Sequence, residues 1–287
     1  MNNIEPHFSY IFRKILESIP SSIKGVSKFK QFYLNRLNLS NNGTASLPGK
    51  LKLNVDLNNI TEIPLWLGLY PRNVHKFLKL NINDNCYFID CGANIGLWSL
   101  LALGNRHKRG IKVLSFEPNN LLYKRLNETK MINALDDQTW QISNLALSKD
   151  SKSRVMYVNN HVHQISSINP QYMDQFCDKR TIDCCSLDSL DHQKTITGMK
   201  IDVEGHEMDV LLGGITRISK DKPWLVIEFN PHYTRTDSYN NWKVTELLKK
   251  HGYCIIKNDI FNQNDLEIKD LIFVHKDKIN EIHLNIN

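Results

Sequence analysis

The chain has 287 residues, 41% hydrophobic and 23% charged, the make-up of an ordinary globular protein with room for one large domain and an extension. No stretch approaches the roughly 18 apolar residues of a membrane-crossing helix, and residues 1–6 lack the basic start of a secretory signal, so a cytoplasmic chain is expected. The net charge of +6 gathers early, where Arg13, Lys14, Lys24, Lys28, Lys30, Arg36, Lys50 and Lys52 face only Glu5, Glu17 and Asp56; without a dense basic run or an aromatic-interleaved motif, no nucleic-acid partner is expected.

Residues 8–19 place Phe8, Ile11, Phe12, Ile15, Leu16 and Ile19 at helical spacing, with Arg13 and Lys14 off that face. Such a helix packs on its own domain or makes peripheral contact with a membrane or partner. Residues 38–49 are rich in Asn, Ser, Gly and Pro and read as a loop, whereas 50–56 alternate like a half-buried strand. From residue 87 a regular rhythm begins. Strands are expected at 87–90, 112–116, 140–143, 199–203, 224–229, 253–257 and 270–275. Helices are expected at 97–103, 120–133, 208–212 and 241–250. Strands alternating with helices predict a mostly parallel, doubly wound sheet. The last two strands have no helix between them, so the last one is expected to insert antiparallel. Residues 144–198 break the rhythm, with strands at 154–158 and 181–185 and a polar loop carrying His161 and His163. The six cysteines, Cys86, Cys91, Cys177, Cys184, Cys185 and Cys254, form no C-x-x-C pair and read as reduced thiols.

The strand at 87–90 ends in Asp90 and runs into Cys91-Gly92-Ala93-Asn94-Ile95-Gly96. The carboxyl end of such a strand is where open α/β sheets bind ligands. Gly92 lets the backbone turn close to a ligand, and Gly96 lets the following helix approach the strand. A dinucleotide would require G-x-G-x-x-G to seat its pyrophosphate. This loop has glycines only at 92 and 96, which suits a cofactor without phosphate. S-adenosylmethionine presents an ammonium, a carboxylate and a sulfonium instead, and Asp90 suits the ammonium. Glu117, followed by Pro118, stands at the end of the second strand, where an acidic side chain reaches ribose hydroxyls. Asn144, in Asn144-Leu145-Ala146-Leu147-Ser148, is placed to meet the adenine amino group, or forms only a turn.

These segments resemble the FkbM family of methyltransferases over roughly residues 70–274. The resemblance is carried by Phe88 to Gly96, Phe116-Glu117-Pro118, Asn144 to Ser148, Ser186-Leu187-Asp188-Ser189-Leu190, Lys200-Ile201-Asp202-Val203-Glu204-Gly205-His206-Glu207, Leu211-Leu212-Gly213-Gly214 and Ile227-Glu228, in that order. It implies an α/β, Rossmann-like class I methyltransferase fold: a seven-stranded, mostly parallel sheet with an antiparallel last strand and helices on both faces. The cofactor-binding positions are then Asp90, Gly92, Asn94, Gly96, Glu117, Pro118, Asn144 and Ala146. The implied organisation is a helical or irregular extension over 1–60 and a methyltransferase domain over 61–287, with the insertion at about 149–198. The implied reaction is methyl transfer from S-adenosylmethionine, usually to a hydroxyl oxygen of a sugar, glycan, glycolipid or secondary metabolite. RNA or amino-group methyl transfer, and a non-catalytic cofactor-binding scaffold, are the alternatives.

A hydroxyl acceptor needs alignment and a base. His206 titrates near neutrality and is the first candidate, followed by Asp202 or Glu204, which alternation puts on one face. Lys200 reads as structural. Asp202, Glu204 and Glu228 come from neighbouring strand ends; such carboxylates hold Mg²⁺, ammonium groups or sugar hydroxyls, and no metal is assigned. Asn230-Pro231-His232-Tyr233 reads as a pocket rim, with His232 a secondary base candidate.

Overall fold

The computed structural model describes residues 42–59, 61–105, 108–159, 166–168, 177–190, 194–234, 236, 238–256 and 269–283. The expected helix at 8–19 and the histidines His161 and His163 lie outside the described residues.

The chain opens with a hairpin of β1 (Asn42–Leu47) and β2 (Leu51–Asp56), followed by short α1 (Ile63–Trp66) and by α2 (Arg72–Asn81). Then come β3 (Tyr87–Cys91), α3 (Leu97–Leu103), β4 (Lys112–Phe116), α4 (Asn120–Ile132) and β5 (Trp140–Ser143). Next comes β6 (Ala146–Leu147), and the insertion holds β7 (Arg154–Asn159), β8 (Ser166–Ser167), β9 (Cys177–Ile182) and β10 (Cys184–Cys185). The chain returns through β11 (Gly198–Ile201), α5 (Glu207–Leu212), α6 (Ile215–Asp221), β12 (Trp224–Phe229), α7 (Pro231–Thr234), α8 (Lys243–Lys250), β13 (Tyr253–Ile256) and β14 (Lys269–His275). No described helix is long and apolar enough to cross a membrane.

The main sheet has seven strands in the order β13-β14-β12-β11-β3-β4-β5. Strands β5, β4, β3, β11 and β12 run parallel, and β14 inserts antiparallel between β12 and β13. This is the Rossmann-like class I methyltransferase arrangement. Successive residues face opposite sides of a strand, so each strand feeds two cores. Phe88, Val113, Trp224 and Val226 join the core under α2, α3 and α4, while Ile89, Leu114, Leu225 and Ile227 join the one under α5, α6 and α8. Toward the carboxyl ends, Asp90, Lys200 and Glu228 interrupt the apolar series of β3, β11 and β12. Lys200 lies in register with Asp90, and Glu228 with Asp270.

The insertion forms a small sheet of its own, ordered β8-β7-β9, while β10 pairs with β6. The expected strand at 181–185 is divided between β9 and β10.

Residues 42–47, expected as loop, form a strand. Gly49, at φ +71, turns the chain so that Leu47 and Leu51 pair. Ala45, Leu47, Leu51, Leu53 and Val55 all enter the core that contains Phe88 and Trp140. The hairpin therefore shares a core with the central sheet. Charge anchors the hairpin as well. Glu62 is 1% exposed, and Arg125 of α4 donates to both its oxygens, at 2.9 and 2.5 Å. Arg125 also donates to the Asn54 carbonyl at 3.2 Å, and Glu62 accepts from the Asp56 amide at 2.8 Å. Removing one partner of a buried pair strands the other. Glu62→Ala is expected to cost about 3 kcal/mol, the low end for such pairs because Arg125 is partly exposed. Urea unfolding of the full chain reads it; an unchanged midpoint would show the hairpin to be dispensable.

Candidate active site

The loop between β3 and α3 is set by two glycines in left-handed backbone. Gly92 has φ +75, and a Cβ there would sit 1.9 Å from the Asp202 carbonyl oxygen. The glycine thus lets the loops after β3 and β11 touch backbone to backbone. The Gly92 and Ala93 amides donate to the Phe116 carbonyl, each at 3.0 Å, which joins the end of β4 to the same point. Gly96, at φ +89, faces the core: its Cβ would meet Leu126 at 2.7 Å and Trp140 at 3.0 Å.

Beside this junction lies a cleft that opens to solvent. Of the residues singled out from the sequence, Gly92, Asn94, Glu117, Pro118, Ala146, Asp202, Glu204 and His206 line it. Asp90, Gly96 and Asn144 are absent from its lining. Asp90 is 1% exposed and turned behind the loop, where its Oδ2 accepts from the Ser99 amide at 3.1 Å and the Ser99 hydroxyl at 2.5 Å. The Ser99 hydroxyl lies 2.7 Å from that of Ser115, which accepts from the Trp140 indole at 2.7 Å. A carboxylate in that position caps the first turn of α3 and complements its dipole. Burial, opposed by the Ser99 hydrogen bond and Lys200, pushes Asp90 up to about 6. Asn144 donates its amide to the Glu117 carbonyl at 2.8 Å, so it braces the loop that carries Glu117. The apolar wall at this end comes instead from Leu145, Leu147, Phe116 and Leu122. Met156, Ser167 and Ile168 of the insertion complete the lining. None carries a motif; Met156 lies in the strand expected at 154–158.

Glu117 is 4% exposed, and each of its oxygens accepts one backbone amide, from Asn94 at 2.9 Å and from Asn119 at 2.8 Å. Burial raises its pKa to about 7 against those two bonds. Each carboxylate oxygen keeps a second lone pair for a hydroxyl. The Asn94 Oδ1 is buried without a hydrogen-bond partner. An orphaned acceptor at a cleft wall is a place for a ligand donor.

The other half of the site is acidic. One oxygen from each of Asp202, Glu204 and Glu228 lies within 4.8 Å of the others, close enough to face one cation. Lys200, 2% exposed, donates to Asp270 at 2.6 Å, approaches Asp202 at 3.4 Å and stands 5.2 Å from the Trp98 ring centroid. Burial opposes its charge, yet Asp202, Asp270 and Glu228 hold its pKa above the usual lysine value. Burial and the Asp202 charge push Glu204 up to about 7, against a hydrogen bond with the Tyr233 hydroxyl. The same two causes push Glu228 up to about 9, against Lys200. Glu204 and Gly205 are both left-handed, at φ +51 and +91. Glu207, 5% exposed, holds this turn from within by accepting from the Gly205 amide at 3.0 Å.

His206 lines the cleft but is engaged by other partners. Its Nε2 lies 3.0 Å from the Ser148 hydroxyl and 3.5 Å from Asp209. Burial, opposed by Asp209, lowers its pKa below the usual value. His232 is exposed, and its backbone amide donates to Asn230 at 3.1 Å. Gly92→Ala is expected to lower unfolding free energy by about 3 kcal/mol or more, because both atoms of the clash belong to backbone-anchored groups. Chemical denaturation reads this, and wild-type stability would contradict the contact with Asp202.

Comparison with known proteins places the chain. The family described as methyltransferase FkbM domain matches residues 90–255, more than half of the sequence. No curated protein matches in sequence. Among solved structures, a methyltransferase FkbM from Methylobacillus flagellatus KT aligns at TM-score 0.46 and 16% identity, over 87% of this chain and 59% of its own. This chain therefore spans under two thirds of that structure's length. An rRNA methylase from Streptococcus thermophilus aligns at TM-score 0.43 and 10% identity, over 71% of this chain and 95% of its own. The M. jannaschii TYW2 in complex with AdoMet aligns at 0.44 and 10%, over 83% of this chain and 88% of its own. With its glycine-cornered loop after β3 and the matched span reaching from Asp90 into β13, the chain belongs to the FkbM methyltransferase domain family.

Proposed function

We propose that this protein transfers a methyl group from S-adenosylmethionine to a hydroxyl oxygen of a sugar-containing or other small hydroxylated acceptor, with Glu204 taking the acceptor's proton. The observation that carries the reading is the joining of two unlike half-sites at Gly92. One half has an acidic ribose-type contact and an apolar wall; the other has clustered carboxylates.

The residues present fit the cofactor. The cleft mixes acidic side chains with an apolar wall, the lining a nucleoside-type ligand requires. Glu117 keeps acceptor capacity for the two ribose hydroxyls, and Leu145, Ala146 and Leu147 offer an apolar face to adenine. The orphaned Asn94 Oδ1 offers an acceptor to an N–H or O–H donor, and the acidic half suits a cation. When bound, the cofactor supplies an electrophilic methyl group on a sulfonium.

The chain's own groups do the rest. A hydroxyl becomes a competent nucleophile as its proton leaves, and a carboxylate with pKa near the working pH is suited to receive it. Glu204, at about 7, meets that requirement while lining the cleft. The proton passes from the acceptor oxygen to a Glu204 oxygen, leaving a neutral carboxylic acid. Glu228, raised to about 9, is the protonated neighbour that spares Glu204 a second full charge. Tyr233 steadies the Glu204 carboxylate through its hydroxyl. His206 lines the same cleft, but Ser148 and Asp209 engage its Nε2, which suits a support role. The acidic half disfavours a phosphodiester acceptor.

Calorimetric titration with S-adenosylmethionine tests the cofactor half: Glu117→Ala is expected to weaken binding about 30-fold through loss of charge-assisted bonds, and binding equal to wild type would overturn the assignment. A screen with radiolabelled methyl donor against glycan and metabolite extracts identifies the acceptor. The pH profile of that transfer separates the two bases. A carboxylic acid cannot accept a proton, so turnover through Glu204 rises with pH through about 7 and levels above it. A His206 base would give its rise below the usual histidine value of 6.5.

A further inference from the structure

The Glu204 side chain can serve only if its backbone holds one orientation. Glu204 stands at φ +51, a region that side-chain-bearing residues adopt sparingly. Gly205 follows at φ +91 and, lacking a Cβ, tolerates either sign of φ. Without restraint, Glu204 would relax toward the ordinary negative-φ backbone, and that change would re-aim its side chain. From within the turn, the Glu207 carboxylate accepts from the Gly205 amide, at 3.0 Å. From outside, the Ser167 hydroxyl donates to the Glu204 carbonyl, at 2.8 Å. The two bonds grip opposite ends of one peptide unit.

Ser167 comes from the inserted sheet. It is 2% exposed, lies on β8 in register with Tyr157 of β7, and lines the cleft beside Glu204. We propose that Ser167 is a positioning residue for the reaction: by holding the Glu204 carbonyl it fixes the turn that aims the Glu204 carboxylate. The insertion thereby contributes to turnover through the catalytic turn, besides walling the cleft. The inference rests on the reading of Glu204 as the base.

Its test uses the full chain, S-adenosyl[methyl-¹⁴C]methionine and a glycan extract of the producing cells. For Ser167→Ala the expected result is a turnover about tenfold lower, the loss of one hydrogen bond expressed in rate. The KM for the methyl donor stays within about twofold, since Ser167 acts on the acceptor side. Ser167→Thr keeps the hydroxyl and restores turnover. Should the threonine variant melt early, Ser167→Cys, similar in size and a weak donor, carries the comparison and falls between serine and alanine. Wild-type turnover in Ser167→Ala overturns the proposal, as does equal loss in all three variants. A rise in KM that accounts for the whole defect overturns it too. Glu204→Gln, measured in parallel, separates the two readings. An inactive Glu204→Gln beside a fully active Ser167→Ala removes this inference alone. A fully active Glu204→Gln removes the base assignment and this inference together.

Discussion

The site depends on one contact between main chains. The loop after β3 meets the loop after β11 at Gly92 and Asp202, too closely for any side chain to intervene. The Asp202 amide donates to the Cys91 carbonyl at 3.1 Å, so the two loops are bonded as well as touching. Parallel strands cannot share a hairpin, and their end loops are ordinarily independent. Here they form a single unit. The half that suits an adenosine and the half that suits an acceptor are thus held at a fixed separation, as an in-line transfer between two ligands requires.

Charge is the second constraint. Several carboxylates crowd the carboxyl ends of β11 and β12, and Lys200 is the buried cation among them. A buried ammonium is costly alone, and clustered buried carboxylates resist ionisation. Each relieves the other, and the remaining strain appears as the raised values of Glu204 and Glu228. The reactivity proposed for Glu204 follows from its burial first and from the neighbouring Asp202 charge second, which one lysine does not fully neutralise.

Much of the fold was legible because the sheet reads on both faces. Apolar runs such as Phe88-Ile89 and Trp224 to Ile227, bounded by turns, marked buried strands, and the absence of a helix before β14 marked its reversal. The hairpin at residues 42–56 was half hidden, since Asn42 to Ser46 are polar or small and only pairing with β2 makes them a strand. The site was legible as positions and less so as directions. Asp90, Gly96 and Asn144 sit where strand ends place them, but their orientations depend on Ser99, Trp140 and Glu117, partners that a motif does not specify. Ser167 had no local signal at all, because its meaning comes from a carbonyl 37 residues away.

The antiparallel insertion of β14 bears on how the protein comes into being. Lys200 finds its shortest ion-pair contact in Asp270, which leaves the ribosome 70 residues later. Until that strand arrives, β12 presents an open edge and the lysine lacks one of the carboxylates that hold its proton. The nascent chain can bond its glycine loop to β4 early, yet the charge balance of the carboxylate cluster is completed only when Asp270 follows, 70 residues after Lys200. A chain that stalls before β14 would carry the Glu117 half of the cleft without the charge balance of the carboxylate half.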